Sequence, residues 1–222
     1  MAIIPTQVTA TMVFDTSRML LNDTGIQLSG SPGTIQLWTD EVLMPMMYQA
    51  HLELQQKLKS RAAPVMKGFA ELVIAPFTPE LLNLPSDLTS PIQIWEKPLG
   101  APIGNYQLMT ETDILPIITP VQNLTYWAWI QDTVMFVGAS ISTQIVLVYW
   151  RRIPVPTVGN DPIRIIDGEQ YLAPRIAALA AASVGEDNTS QVAGALAEAQ
   201  LQIVLSANRS RAPQNIGISI HP

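Results

Sequence analysis

Residues 38–58, WTDEVLMPMMYQAHLELQQKL, decide how the chain is read. Leu43, Met46, Met47, Ala50, Leu54 and Leu58 recur at three- and four-residue spacing, so one face of an α-helix carries them all. Thr39 stands where a hydroxyl can cap the first turn, and Asp40 and Glu41 complement the positive end of the helix dipole. Lys57, Lys59 and Arg61 gather at the other end, where cations are favoured. Pro45 removes a backbone donor, so the pattern predicts a kink there or a later start.

Before this helix, Pro5 to Leu21 reads as a shorter one with Val8, Met12, Met19 and Leu20 on part of a face. Asn22-Asp23-Thr24-Gly25 stops it. The loop Ser29-Gly30-Ser31-Pro32-Gly33 lacks the Lys-Ser/Thr ending of a phosphate-binding loop and is given no nucleotide role. After the long helix, Met66 to Ile74 is expected to form another short helix, stopped by Pro76 and Pro79. From Pro85 to Pro156 the chain changes to short extended runs: Ile92–Trp95, Tyr126–Ile130, Val134–Val137 and Ile145–Trp150. Gln131-Asp132-Thr133 is short enough to join two of them as a hairpin. Helices return at Asp167, a candidate cap with Gln170 three residues on. Gly185 ends that helix, Asn188 or Ser190 caps the next, and both are alanine-rich, which predicts a close αα-hairpin ending near Arg209.

The fold class expected is α+β, mainly α: a bundle of about four main helices, a small antiparallel β subdomain and an extended C-terminal tail. The expected parts are 1–84, an N-terminal helical region; 85–157, the β-rich subdomain; 158–211, a helical hairpin completing the bundle; and 212–222, the tail.

Composition narrows the function. Apolar residues make up 48% of the 222 and charged residues only 14%, with a mean hydropathy of +0.22. Both an obligate oligomer and a well-packed monomer with neutral loops fit these values. The net charge of −6 argues against specific duplex binding, which draws on phosphate neutralisation. It is compatible with a channel wall that repels DNA. The absence of cysteine excludes disulfides and thiolate metal sites. The N-terminus lacks a signal-peptide pattern. No apolar run reaches spanning length, so no membrane partner is expected.

No constellation of catalytic residues is evident. His51 and His221, the two histidines, have no partner at ligand spacing and read as solvated or interfacial side chains. Glu111-Thr112-Asp113 and Glu186-Asp187 read as solvated turns, although acid pairs can serve hydrolysis or cation binding. Trp127 and Trp129 share a strand face, which Trp95 and Trp150 can join. Such a platform could stack sugars or bases, and its ordinary counterpart is an apolar face covered by helices. Arg151-Arg152 reads as an interface or surface pair. Arg209 and Arg211 complement a helix end, and Ile216, Ile218 and Ile220 alternate after them as a docking strand would. No enzyme activity, cofactor or metal is expected.

The ordered set of motifs resembles the head-to-tail adaptor proteins of tailed phages, the ring beneath the portal. The set comprises Leu20-Leu21-Asn22-Asp23, the Trp38-Thr39-Asp40-Glu41 helix start and its continuation through Leu58. Leu84-Pro85-Ser86-Asp87-Leu88-Thr89-Ser90-Pro91-Ile92, Ile94-Trp95-Glu96-Lys97-Pro98, the tryptophan-rich hairpin and the C-terminal helix pair complete it. The prolines inside helices and the long loop before Thr34 depart from the pattern. The resemblance implies a structural virion protein of the neck, assembled in the bacterial host cytoplasm. It implies a homo-oligomeric ring, a dodecamer, that joins the portal to tail nozzle or tail tube proteins and lets DNA pass without specific binding. It implies a portal-docking tail with Arg209, Arg211, Ile216, Ile218 and Ile220. It also implies an inter-subunit or tail-facing β region with Trp127, Trp129, Trp150, Arg151 and Arg152. The alternatives are a stopper or tail-completion protein and, from another class, a carbohydrate- or host-binding module.

Overall fold

The computed structural model describes residues 7–22, 26–27, 34–35, 37–117 and 119–209. The docking tail of the sequence reading, with Arg211, Ile216, Ile218, Ile220 and His221, lies outside them, as does the side chain of Arg209. The fold is α+β, and the chain divides into two compact units: residues 7–65 with 153–209, and Met66–Arg152.

Among the described residues the first unit holds four α-helices: α1 (Ala10–Leu20), α2 (Asp40–Ser60), α3 (Gly168–Ser183) and α4 (Asp187–Arg209). Between the first two, β1 (Ile26–Gln27) and β2 (Thr34–Ile35) form a two-residue antiparallel ladder. Helix α3 packs against the other three helices. Its alanines allow this: Ala173, Ala177, Ala178, Ala180 and Ala181 are buried, and Ala177 and Ala178 cluster with Ala193 of α4 under Leu20 and Leu21. Polar ties fix the register. Ser17 Oγ donates to the Ala173 carbonyl at 3.0 Å. Arg175 grips Glu53 of α2 through Nε and a terminal nitrogen at 2.7 and 3.1 Å.

Helix ends follow backbone chemistry more than side-chain caps. Helix α2 runs through the exposed Pro45. Thr39 occupies its N-cap position and Asp167 that of α3, yet neither makes a side-chain capping bond. Asp167 is left-handed, φ 54°. The α3–α4 turn is a Schellman motif: Gly185 at φ +77° donates to the Ala182 carbonyl, and Glu186 to that of Ala181.

The second unit holds β3 (Lys67–Ile74), β4 (Leu88–Pro98), β5 (Gln107–Leu108), β6 (Thr110–Glu111), β7 (Tyr126–Ile130), β8 (Thr133–Phe136) and β9 (Thr143–Arg151). One sheet has the order β3-β9-β4-β5 and the other β6-β7-β8. All pairs are antiparallel except β6–β7. The expected helix over Met66–Ile74 is wrong: β3 pairs with β9 from Lys67↔Trp150 to Ile74↔Thr143. The run has period two, not 3.6. Gly68 and Ile74 are buried, while Phe69, Glu71 and Val73 are exposed. Gly68 is required by a close approach, since a Cβ there would meet the Tyr149 ring at 2.3 Å. The core gathers Ile94 of β4 and Ile145, Leu147 and Tyr149 of β9 with Trp127, Val134 and Phe136 of the smaller sheet.

Candidate functional site

The best-defined polar cluster lies in the helical unit, around Arg18. Its side chain is only 7% exposed. Nε donates to the Trp38 carbonyl at 2.7 Å, one terminal nitrogen meets Asp15 at 2.9 Å, and the other pairs with Asp40. The Trp38-Thr39-Asp40 start is therefore a clamp on α1: its first carbonyl and its carboxylate hold one guanidinium. A second clamp sits at the N-terminus of α1. Ala10 and Thr11 donate their backbone N–H groups to the carbonyls of Asp161 and Gly159, at 3.0 and 2.8 Å. Asp161 fixes that loop by accepting from the backbone N–H groups of Thr157 and Val158 and from the Thr157 hydroxyl. These bonds hold its carboxyl below the usual range.

His51 is fully buried, so of the two readings, solvated or interfacial, the solvated one is wrong. The buried face of α2 is one column wider than the apolar pattern shows, taking in His51 and Gln55. Gln55 Nε2 lies 2.9 Å from His51 Nδ1, and its amide exchanges two bonds with the backbone of Ile153, at 3.0 and 2.9 Å. Burial pushes the His51 pKa down to about 4, so the ring is neutral at pH 7. The Gln55 amide N–H faces Nδ1 and donates to it, which requires Nδ1 to be unprotonated and so opposes a charged ring.

In the β unit, Trp127 is 1% exposed and paired with Phe136, and Trp129 packs on the same core. Trp95 and Trp150 do not join them. Their neighbours Ile94 and Tyr149 point into the core, so alternation places both tryptophans on the opposite face of the larger sheet. Lys67 Nζ lies 5.9 Å from the Trp150 ring. Arg151 lies opposite Leu88, and the Arg152 backbone donates to Asp87. Asp87 also accepts from the Tyr149 hydroxyl at 2.9 Å, whose pKa burial raises to about 12.

A polar recess of this unit, about 450 Å³, is lined by Glu96, Lys97, Asn105, Tyr106, Gln107 and Asn123. Its charges are engaged by the fold. Glu96 accepts the backbone N–H groups of Leu124 and Thr125 at 2.6 and 2.8 Å, and burial raises its pKa. Lys97 donates to the Ala101 carbonyl at 2.6 Å and lies 5.1 Å from the Tyr106 ring. The arrangement anchors loops. It presents no nucleophile beside a base. Of the expected acid pairs, Glu111 belongs to β6 and Asp187 opens α4.

Sequence reasoning missed Arg18, Gln55 and Glu96. Only Arg18 left a trace, the three-residue spacing from Asp15. Among the described residues no group of histidines and carboxylates could hold a metal ion. No described helix is long and apolar enough to cross a membrane.

No curated protein sequence matches this chain significantly. The family model of the SU10 adaptor protein matches residues 9–217. That span takes in both α1 with its Arg18 clamp and the whole β unit. The chain therefore belongs to the SU10 adaptor protein family, a family of phage head-to-tail adaptors.

Proposed function

We propose that this chain is the subunit of a homo-oligomeric ring, a dodecamer, that joins the portal to the tail and lengthens the DNA channel. The carrying observation is the family match over residues 9–217. A family of phage adaptors implies a structural role at the virion neck, beside portal and tail proteins. The acidic balance, −6, supports a passage that DNA crosses without being held. The four helices form the bundle of each subunit, and assembly takes place in the host cytoplasm. The tail from Arg209, with Arg211, Ile216, Ile218 and Ile220, docks on the portal. Trp129, Trp150, Arg151 and Arg152 mark the β region that meets a neighbouring subunit or the tail, with Trp127 as its internal support.

The test is deletion of residues 212–222. The shortened subunit keeps its helical circular dichroism and its melting midpoint but no longer co-sediments with portal rings. Undiminished portal binding by the shortened chain rejects the docking arm.

A further inference from the structure

The Gln55 amide dictates where the His51 ring carries its proton. Gln55 Oε1 accepts the Ile153 N–H at 2.9 Å, and Nε2 donates to the Ile153 carbonyl at 3.0 Å. A backbone N–H only donates and a carbonyl only accepts, so these two bonds fix which end of the amide is which. The second N–H of Nε2 then points at His51 Nδ1, 2.9 Å away. Nδ1 must accept, and the proton of the neutral ring sits on Nε2. A further proton on Nδ1 sets donor against donor. His51, Gln55 and Ile153 are all buried, so solvent does not relieve that conflict.

The charged groups on the surrounding elements are engaged elsewhere. Arg18 of α1 holds Asp15 and Asp40, Glu53 of α2 pairs with Arg175 of α3, and Lys57 pairs with Glu198 of α4. Tyr171 of α3 lies beneath Lys57, and Glu169 borders α1 and α4. After Ile153, Asp161 accepts three bonds from its own loop, with Arg164 acting on it. None of these charges acts on His51: burial alone lowers its pKa. A protonated ring therefore has one acceptor within reach, the oxygen of Gln55.

We infer that His51 and Gln55 form a proton-operated latch on Ile153, the residue at which the chain returns to the helical unit. Protonation at Nδ1 turns the Gln55 amide over, so that Oε1 accepts from the new N–H. The same turn sets Nε2 against the Ile153 N–H and Oε1 against the Ile153 carbonyl. Both backbone bonds break, and the segment at Ile153 comes away from α2 while the helices stay folded. Loss of the proton closes the latch again. The folded pKa of His51 lies below the unfolded value near 6.5, so the latch is shut at pH 7 and opens as pH falls toward 4. The device belongs to the helical unit alone and does not depend on the ring.

NMR of the full-length chain from about pH 7.5 to about pH 3.5 tests the latch. The His51 ring and the Ile153 amide should titrate with one midpoint, about 4. Protection of Ile153 against hydrogen exchange should fall at least tenfold more than that of Leu201 and Val204, which are buried in α4. In His51→Leu the Ile153 amide should no longer respond to pH. Gln55→Glu supplies a carboxylate that accepts from Nδ1–H, and should strengthen proton binding by the ring at least tenfold. The inference is overturned if His51 titrates while the Ile153 amide stays unmoved, or if that amide still responds in His51→Leu. An unchanged ring midpoint in Gln55→Glu overturns it too. So does loss of Ile153 together with Leu201 and Val204, because acid then unfolds the unit as a whole before any latch opens.

Discussion

Replacing Arg18 by methionine tests whether the Trp38-Thr39-Asp40 clamp holds α1 in place. Methionine keeps most of the apolar stem, so the change removes the guanidinium and little packing. Three interactions are lost, and they differ in weight. The bond from Nε to the Trp38 carbonyl is short, 2.7 Å, and buried. Losing a charged donor to a buried carbonyl costs about 1.5–3 kcal/mol. The two carboxylates contribute less because water can reclaim them: Asp15 and Asp40 side chains are 62% and 42% exposed. Each exposed pair is worth about 0.5 kcal/mol. The expected loss is about 3 kcal/mol, read as a lower urea midpoint with unchanged slope in the helical circular dichroism signal. Asp40→Asn alone should cost about 0.5 kcal/mol, and its coupling to Arg18→Met should be no larger. A loss under about 1 kcal/mol for Arg18→Met, or an equal loss for Asp40→Asn, would refute the assignment of the energy to the carbonyl.

Gln131 and Asp132 form a two-residue hairpin turn with φ of 49° and 58°, the type I′ geometry that Asn-Gly adopts with least strain. Gln131→Asn with Asp132→Gly should raise stability by about 1 kcal/mol, seen as a higher melting midpoint. Glu96→Gln should cost about 2 kcal/mol in urea unfolding, because one amide oxygen cannot replace two carboxylate oxygens toward Leu124 and Thr125. His51 gives a pH dependence. Its pKa in the fold, about 4, lies below the unfolded value near 6.5. Its contribution is therefore whole above pH 6.5 and is lost as pH falls toward 4. Between pH 7.5 and pH 5 this amounts to about 2 kcal/mol, and His51→Leu should flatten that part of the urea-midpoint profile.

The helices were legible where a single apolar face ran long enough. Leu43, Met47, Ala50, Leu54 and Leu58 locate α2, and the alanine-rich pair locates α3, Gly185 and α4. Strand β3 was misread because its eight residues are too few to separate period two from 3.6 without knowing their partner. The placement of Trp95 and Trp150 away from Trp127 likewise needed the register between β4 and β9, which no local pattern carries. Beyond its spacing from Asp15, the Arg18 clamp was hidden for another reason. Its strongest partner is a backbone carbonyl twenty residues away, and carbonyls leave no signature in side-chain spacing. His51 was misjudged because it flanks the apolar column of α2, and only packing shows that the column is two residues wide.

The central claim is a ring subunit that joins portal to tail, and mass measurement tests it most directly. Purified chain is mixed with portal rings and the mass of the products is determined. The account predicts a stoichiometric complex with one adaptor chain for each portal subunit. A chain that remains monomeric beside unaltered portal rings would contradict it.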